Sequence, residues 1–230
     1  MISEMFAHGF IQRAFIGGVL VSLCAALLGV SLVLKRYSMI GDGLSHVSFG
    51  ALSIAIALGF APIKFSIPIV IIAAFFLLRL AENGKMKSDA AIAMVSASSL
   101  AIGVIVTSLT TGLSTDVCSY MFGSILAMSK DDVIFSVVLS VVVLIMFGFC
   151  YHRIFAVTFD ESFSKATGVK VGMYNTLISI FTAVTVVLGI KMMGAMLISS
   201  LIIFPALTSM RVFKSFLSVT ICSAILAVIN

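Results

Sequence analysis

The sequence has no tryptophan, only three prolines and few charges, since Asp, Glu, Lys and Arg make up 10% of its 230 residues. A soluble domain carries such charges at about 25% of its positions. The hydrophobic share is instead 61%, and the mean hydropathy is +1.27. This composition excludes a disordered chain and a coiled coil, and it argues against a water-soluble globular enzyme. It is typical of a helical protein that crosses a lipid bilayer several times.

Cysteine and charge patterns exclude further classes. The four cysteines (Cys24, Cys118, Cys150 and Cys222) lie far apart and form no C-x-x-C pair, which disfavours a disulfide framework or a cysteine metal site. The net charge of +5 comes from Lys and Arg in short gaps between apolar runs. That distribution is typical of membrane topology signals and not of a surface that binds nucleic acid. The chain also lacks a G-x-x-x-x-G-K-[ST] motif, so it supplies no P-loop for ATP hydrolysis.

Eight apolar runs are long enough to cross a bilayer as helices, which takes about 17–25 residues. They are Phe10–Leu34, Leu44–Phe60, Ile63–Leu80, Ala90–Leu109, Val133–Tyr151, Gly172–Leu188, Met192–Met210 and Val212–Ile229. A further run, Val117–Met128, is too short to span, and we predict a re-entrant or interfacial helix there. The predicted fold is an all-α, polytopic transmembrane bundle of about eight spans plus this short helix, in a single domain over residues 1–230.

Lys and Arg predict the orientation, because cytoplasmic gaps are enriched in both. One set of gaps holds ten: Lys35, Arg36, Arg79, Lys85, Lys87, Arg153, Lys165, Lys170, Arg211 and Lys214. The other set holds four: Arg13, Lys64, Lys130 and Lys191. The ten-charge side is predicted to be cytoplasmic, which puts the N-terminus outside. If Val117–Met128 spanned the membrane, the count would be seven against seven, so the bias favours a re-entrant segment.

The longest polar gap, Tyr151–Lys170, is predicted to contain a short cytoplasmic helix over Phe159–Thr167. Asp160 and Glu161 would lie in its first turn, where carboxylates suit the helix dipole, and Gly168 would end it. Its apolar side chains recur on one face at helical spacing. From this segment alone, a docking element for a soluble partner and a helix lying among lipid headgroups are equally good interpretations.

The run Gly41–His46 (GDGLSH) contains the residues best suited to chemistry. In a helix, Asp42 and His46 share a face with Cβ atoms about 5–6 Å apart. A carboxylate and an imidazole can ligate zinc or manganese, and Ser45 could add a weak oxygen ligand or a cap. The flanking glycines, Gly41 and Gly43, are expected to let the backbone bend, as in a broken transmembrane helix.

Two other interpretations of this run stay open. Asp42 could be an N-cap and His46 a satisfied residue at the membrane interface. An Asp–Ser–His hydrolase is disfavoured, because the three residues lie within five positions on one element and no oxyanion loop is evident. Ionisable residues in or beside a membrane span are costly, which favours a functional role.

Several stretches, in order, resemble the permease subunit of bacterial zinc/manganese/iron-uptake ABC transporters. They are FIQRAF at 10–15, LVLKRYSMIGDGLSH at 32–46, SDAAIAMV at 88–95, FGSILAMSKDD at 122–132, FDESFSKATG at 159–168 and IKMMGAMLISSLIIFPA at 190–206. The family pattern near Asp42 is close to G-D-A-x-S-H-A, from which Gly43 and Val47 depart. The resemblance covers almost the whole chain.

This resemblance implies a fold similar to the vitamin B12-type importers. It also implies a permease homodimer in the bacterial cell membrane, with two cytoplasmic ATP-binding subunits and an extracytoplasmic metal-binding protein. Asp42 and His46 match polar positions in the family's translocation path. The matching ATPase-docking region contains Phe159, Asp160, Glu161, Phe163, Lys165 and Gly168. Family members usually continue with one more hydrophobic helix, so this chain is expected to lack the last one.

The sequence therefore predicts a permease that moves divalent metal ions into the cytoplasm, zinc first and manganese second, with Asp42, Ser45 and His46 at the metal. It is predicted to be no enzyme and to bind no permanent cofactor, since the partner subunit uses the ATP. The alternative is a secondary divalent cation transporter without an ATPase, which should show inverted repeats and more buried charges. An intramembrane enzyme would need a second catalytic group on another helix, and none is evident.

Overall fold

The structure is a computed structural model that describes residues 9–35, 37, 39–82, 88–110, 123 and 130–229. Regular structure in this part of the chain is α-helical throughout. The helices are α1 (Gly9–Leu34), α2 (Met39–Ala57), α3 (Pro62–Glu82), α4 (Ser88–Leu109), α5 (Lys130–Phe159), α6 (Glu161–Ala166), α7 (Val171–Met193), α8 (Ala195–Val212) and α9 (Phe216–Ile229).

All eight predicted spans are helical, which confirms the all-α fold. Six helices of the described chain are long and apolar enough to cross a membrane: α1, α2, α4, α5, α7 and α8. The apolar part of α3 (Pro62–Leu77) and all of α9 are shorter. The re-entrant helix predicted at Val117–Met128 lies outside the described residues except for Gly123, and it stays a prediction.

Three helices form the centre of the bundle. Among the 18 most apolar consecutive residues of each helix, the buried share is 72% in α2, 67% in α7 and 61% in α1. The corresponding share is 28% in α5 and 17% in α4. Because every one of these helices is apolar along its length, α4 and α5 expose apolar side chains. Such faces suit contact with lipid or with another membrane protein.

Glycines bring α2 and α4 close together. A Cβ on Gly50 would come within 2.8 Å of the Ser99 carbonyl oxygen, and one on Gly103 within 2.7 Å of the Phe49 ring. Helices approach this closely in membranes where small residues line the contact. The α2 helix, which carries Asp42 and His46, is therefore fixed in position by α4.

The bend expected at Gly41 and Gly43 is wrong, because α2 is an unbroken helix from Met39 to Ala57. Both glycines are buried and make room for neighbouring helices instead. A Cβ on Gly43 would lie 2.6 Å from the Ile92 side chain, and one on Gly41 would lie 3.2 Å from Ile202. The missing side chains serve packing between helices, and the backbone stays regular.

The boundary between α7 and α8 falls at one residue. The sequence placed the gap at residues 189–191, but α7 continues to Met193 and α8 begins at Ala195. Gly194 joins them with φ of +87°, in a region that glycine enters at no steric cost. Gly123 packs on this turn, since its Cβ would lie 2.3 Å from the Met193 carbonyl carbon.

The short helix predicted in the polar gap is shorter than expected. Phe159 is the last residue of α5, and α6 spans only Glu161–Ala166. Asp160 is extended (φ −146°, ψ 99°) and its carboxylate accepts a hydrogen bond from the Phe163 amide at 2.9 Å. Asp160 is thus the N-cap and not a first-turn residue, because capping satisfies an amide that has no partner within the helix. Gly168, with φ of +82°, follows the end of α6 as predicted.

Candidate functional site

Asp42 and His46, named the ligand pair below, lie one turn apart on α2 and share a face as predicted. His46 Nε2 lies 3.7 Å from Asp42 Oδ2, and the two side chains are 29% and 42% exposed, respectively. This distance is too long for a good hydrogen bond. Two ligands of one tetrahedral zinc ion lie about 3.3 Å apart, given metal–ligand bonds of about 2.0–2.1 Å. The pair can therefore receive a metal ion with only a small adjustment.

The ligand pair is an incomplete site by itself. Within the described residues, no group of three or more His, Cys, Asp and Glu is close enough to hold a metal ion. A structural zinc site is closed by four protein ligands. A carboxylate and an imidazole with their remaining positions open would bind an ion loosely and let it go.

Ser45 lies on another side of α2 and is buried. Its hydroxyl donates to the Gly41 carbonyl at 2.8 Å and lies 3.0 Å from the Ser199 hydroxyl of α8. Ser199 in turn donates to the Ala195 carbonyl at 2.9 Å. Ser45 therefore joins α2 to α8 next to the ligand pair.

A second polar group lies at the junction of α1, α6 and α7 and consists of Lys35, Glu161 and Asn175, named the docking cluster below. Lys35 Nζ donates to Glu161 Oε1 at 2.9 Å, and Asn175 Nδ2 donates to the same oxygen at 3.1 Å. Lys35 Nζ also donates to Asn175 Oδ1. The Lys35 side chain is only 6% exposed. Three separate elements are thus tied together at α6.

The docking cluster keeps Glu161 ionised. Burial alone would raise the pKa of this carboxyl group, but hydrogen bonds from Lys35 and Asn175 and the charges of Lys35 and Lys165 outweigh it and lower the pKa below its ordinary value. A charge-assisted contact of this kind is stronger than a neutral hydrogen bond.

The predicted docking residues separate into two groups. Glu161 points inward to the docking cluster, and Asp160 caps α6. The remaining ones present exposed surface: Phe159, Phe163, Lys165 and Gly168. Phe163 is 64% exposed, which is unusual for a large apolar side chain outside a membrane span. An exposed aromatic side chain on a fixed short helix is suited to enter a pocket of a protein partner.

Sequence reasoning missed two residues of the docking cluster. In the sequence, Lys35 is interpreted only as a topology charge, and Asn175 is not singled out. The sequence does offer one signal for Asn175. It is an amide side chain one turn after the start of an apolar span, where a polar side chain needs a partner.

The docking cluster and the ligand pair are joined by a short connection. Lys35 follows the last residue of α1, and Asp42 lies in the first turn of α2. Between them, the Tyr37 amide donates to the Leu32 carbonyl at 2.8 Å, and the Ile40 amide donates to the Tyr37 carbonyl at 3.0 Å. These two hydrogen bonds tie Tyr37 to the end of α1 on one side and to the start of α2 on the other.

Comparison with known proteins gives a family match over nearly the whole chain, because the ABC 3 transport family matches residues 7–230. A probable metal transport system membrane protein of Treponema pallidum is 30% identical over 98% of this chain and 85% of its own length. The manganese import system permease protein ScaB of Streptococcus gordonii is 28% identical over 94% of this chain and 78% of its own. The high-affinity zinc uptake system membrane protein ZnuB of Haemophilus influenzae is 28% identical over 86% and 76%.

Solved structures share the architecture. PsaBC from Streptococcus pneumoniae, solved in complex with a Fab, is 27% identical with a TM-score of 0.85 over 100% of this chain and 84% of that chain. An inward-facing metal-chelate type ABC transporter is 16% identical with a TM-score of 0.75 over 94% and 73%, which supports the fold alone. The helical arrangement described above is thus one that known membrane transporters use.

Proposed function

The chain belongs to the ABC 3 transport family, and we propose that it is the membrane permease subunit of an ATP-driven importer that moves divalent metal ions into the cytoplasm. The observation that carries this function is the half-exposed ligand pair on α2, in a chain whose family match runs over residues 7–230. The relatives named above include both manganese and zinc systems. We place zinc first because imidazole suits it well, and manganese second.

The ligand pair binds the ion in passing. Asp42 Oδ2 and His46 Nε2 supply two ligands, and water or a second copy of the chain supplies the others. Ser45 is the candidate for a third, weaker oxygen ligand, although its hydroxyl would have to turn away from Ser199 to serve. Few ligands and open positions favour release, which transport requires.

The energy comes from partners, because the sequence carries no P-loop motif of its own. Two cytoplasmic ATP-binding subunits dock on α6, where Phe159, Phe163, Lys165 and Gly168 make the contact and Asp160 and Glu161 hold the helix in position. Their motion on binding ATP passes through α6 and Lys35 to α2. An extracytoplasmic metal-binding protein delivers the ion. In this arrangement the permease has no enzymatic activity and no permanently bound cofactor.

The assembled permease is a homodimer in the bacterial cell membrane, with the N-terminus of each copy outside. The apolar face of α4 is available for a second copy, because only 17% of the most apolar stretch of this helix is buried. Two copies would bring two ligand pairs to one route. Each copy is a single transmembrane domain with its docking segment at residues 151–170.

Reconstituted transport tests the proposal. The permease, its ATP-binding subunit and the metal-binding protein are assembled in proteoliposomes, and uptake of radioactive zinc and manganese is measured in competition, with and without ATP. We expect uptake that depends on ATP and on the ATP-binding subunit. Metal uptake that persists when this subunit is omitted would favour the secondary transporter and overturn the proposal.

A further inference from the structure

A cavity of about 440 Å³ opens between the end of α5 and the start of α7, beside the segment that follows α6. It is lined by Arg153, Thr167, Gly168, Val169, Lys170, Met173 and Tyr174. The lining contains two cations and no carboxylate. The site lies at the end of the apolar helices that carries the docking cluster, and Gly168 is the one lining residue to which the proposed function gives a role in docking.

The two cations of the cavity are available to an anion. In the part of the chain that the structure describes, neither Arg153 nor Lys170 forms an ion pair with a carboxylate. Arg153 is held in place because its Nη1 donates to the Tyr174 hydroxyl at 2.7 Å. Tyr174 is almost completely buried, so it gives Arg153 a rigid support. Because this hydroxyl accepts from Arg153, its own hydrogen can be donated to a ligand.

An apolar track leads away from the cavity along α5. Ile145, Phe149 and Arg153 are spaced four residues apart and therefore share one face of the helix. Phe149 is 85% exposed and Ile145 is 52% exposed. Met173, in the lining itself, is also exposed. A cationic pocket with an exposed apolar stripe beneath it matches the shape of a molecule with an anionic head and an apolar tail.

We propose that this cavity binds the phosphate headgroup of an anionic phospholipid, with an acyl chain lying along Phe149 and Ile145. Arginine and lysine are the usual phosphate ligands, and basic pockets between transmembrane helices are known to bind lipid headgroups. An acidic segment of a protein partner would also satisfy the cations. The track favours lipid, because Phe149 and Ile145 lie about 6 and 12 Å from Arg153 along the helix, within the apolar span, where a water-soluble partner does not reach.

Lipid titration with a matched control tests this site. The complex of permease and ATP-binding subunit is prepared in phosphatidylcholine nanodiscs, phosphatidylglycerol is titrated in, and bound lipid is counted by native mass spectrometry. The double variant Arg153→Gln/Lys170→Gln should bind phosphatidylglycerol about thirtyfold more weakly, because each lost cation should weaken binding about fivefold. The control Arg211→Gln/Lys214→Gln removes the same two charge types from exposed positions near the α8–α9 turn and should leave binding unchanged.

Other outcomes would overturn the proposal. An equal loss in both double variants would mean general attraction to a basic surface. Displacement of the lipid by an equal concentration of inorganic phosphate would mean a site for free phosphate. Loss of the ATP-binding subunit from the Arg153→Gln/Lys170→Gln complex, with lipid binding intact, would assign the cavity to that partner.

Single variants keep the test decisive if the double variant does not fold. Lys170 makes no side-chain capping bond, so Lys170→Gln should fold and still weaken phosphatidylglycerol binding. Phe149→Ala should also weaken lipid binding and leave the binding of inorganic phosphate alone unchanged. Wild-type lipid binding by both single variants would contradict the proposal, whatever the metal transport activity of the complex.

Discussion

The ligand pair and the docking cluster are both small polar groups in a molecule with few charged residues, yet they are built differently. The docking cluster joins Glu161 of α6 and Asn175 of α7 to Lys35, which directly follows α1. Its hydrogen bonds to Glu161 Oε1 are 2.9 and 3.1 Å long, and Lys35 is almost fully buried. The ligand pair lies on one helix, its atoms are 3.7 Å apart, and both side chains keep substantial exposure. The polar atoms of the docking cluster are hydrogen-bonded within the protein, whereas those of the ligand pair remain accessible to a ligand.

This difference fits the two proposed tasks, ion transport and docking of a partner. A transport site must release its ion, so few and open ligands are an advantage. A docking element that transmits motion must be held rigidly, so α6 would benefit from a charged contact that ties it to α7 and to the end of α1. The short turn between Lys35 and Asp42 connects the two groups, and the contrast predicts that their variants fail in different ways.

The largest expected effect comes from removing a ligand. Asp42→Asn or His46→Ala should reduce zinc and manganese uptake by about 100-fold, since even indirect partners of a metal site cost about 10–100-fold. Membrane insertion and co-purification with the ATP-binding subunit should be unchanged, because neither side chain contacts the docking cluster. Uptake into proteoliposomes and pull-down of the subunit measure the two properties.

His152→Ala is the matched control for the ligand pair, because it removes an exposed histidine from α5. This variant should transport normally. Normal uptake by both Asp42→Asn and His46→Ala would refute the assigned site. If either variant also loses the ATP-binding subunit, the ligand pair and the docking cluster do not act independently.

A smaller effect is expected from opening the docking cluster. Lys35→Gln or Glu161→Gln removes a hydrogen bond to a charged group, worth about 1.5–3 kcal/mol, and should weaken binding of the ATP-binding subunit by about tenfold or more. Uptake should fall together with binding, in contrast to the variants of the ligand pair. Co-purification yield and ATP-driven uptake, measured on the same preparations, give the comparison.

Two further variants sharpen this test. The exchange Lys35→Glu/Glu161→Lys keeps both charges and should restore part of the binding. Ser162→Ala changes an exposed α6 side chain outside the cluster and should bind the subunit normally. If the single variants of Lys35 and Glu161 bind it as well as Ser162→Ala does, the docking cluster does not position α6.

The sequence predicted the spans because a bilayer admits only long apolar helices whose backbone groups are satisfied internally. It predicted the ligand pair because both residues lie on one turn, where spacing alone determines the shared face. It could not predict the docking cluster, since Lys35 and Asn175 are 140 residues apart and meet only through packing. The glycines of α2 show the same limit: whether they bend the helix or fill a contact depends on Ile92 and Ile202, which come from other helices.

The smallest expected effect is the pH dependence of docking. The pKa of Glu161 is lower in the folded protein than its ordinary value of 4.5, so its stabilising contribution is fully present above that value and is lost only as the pH falls through the lower folded pKa. Binding of the ATP-binding subunit should therefore stay constant from about pH 7 to 5. Pull-down of the subunit over one pH series measures this, and a loss of docking above about pH 5 would show that Glu161 is not held as the structure indicates.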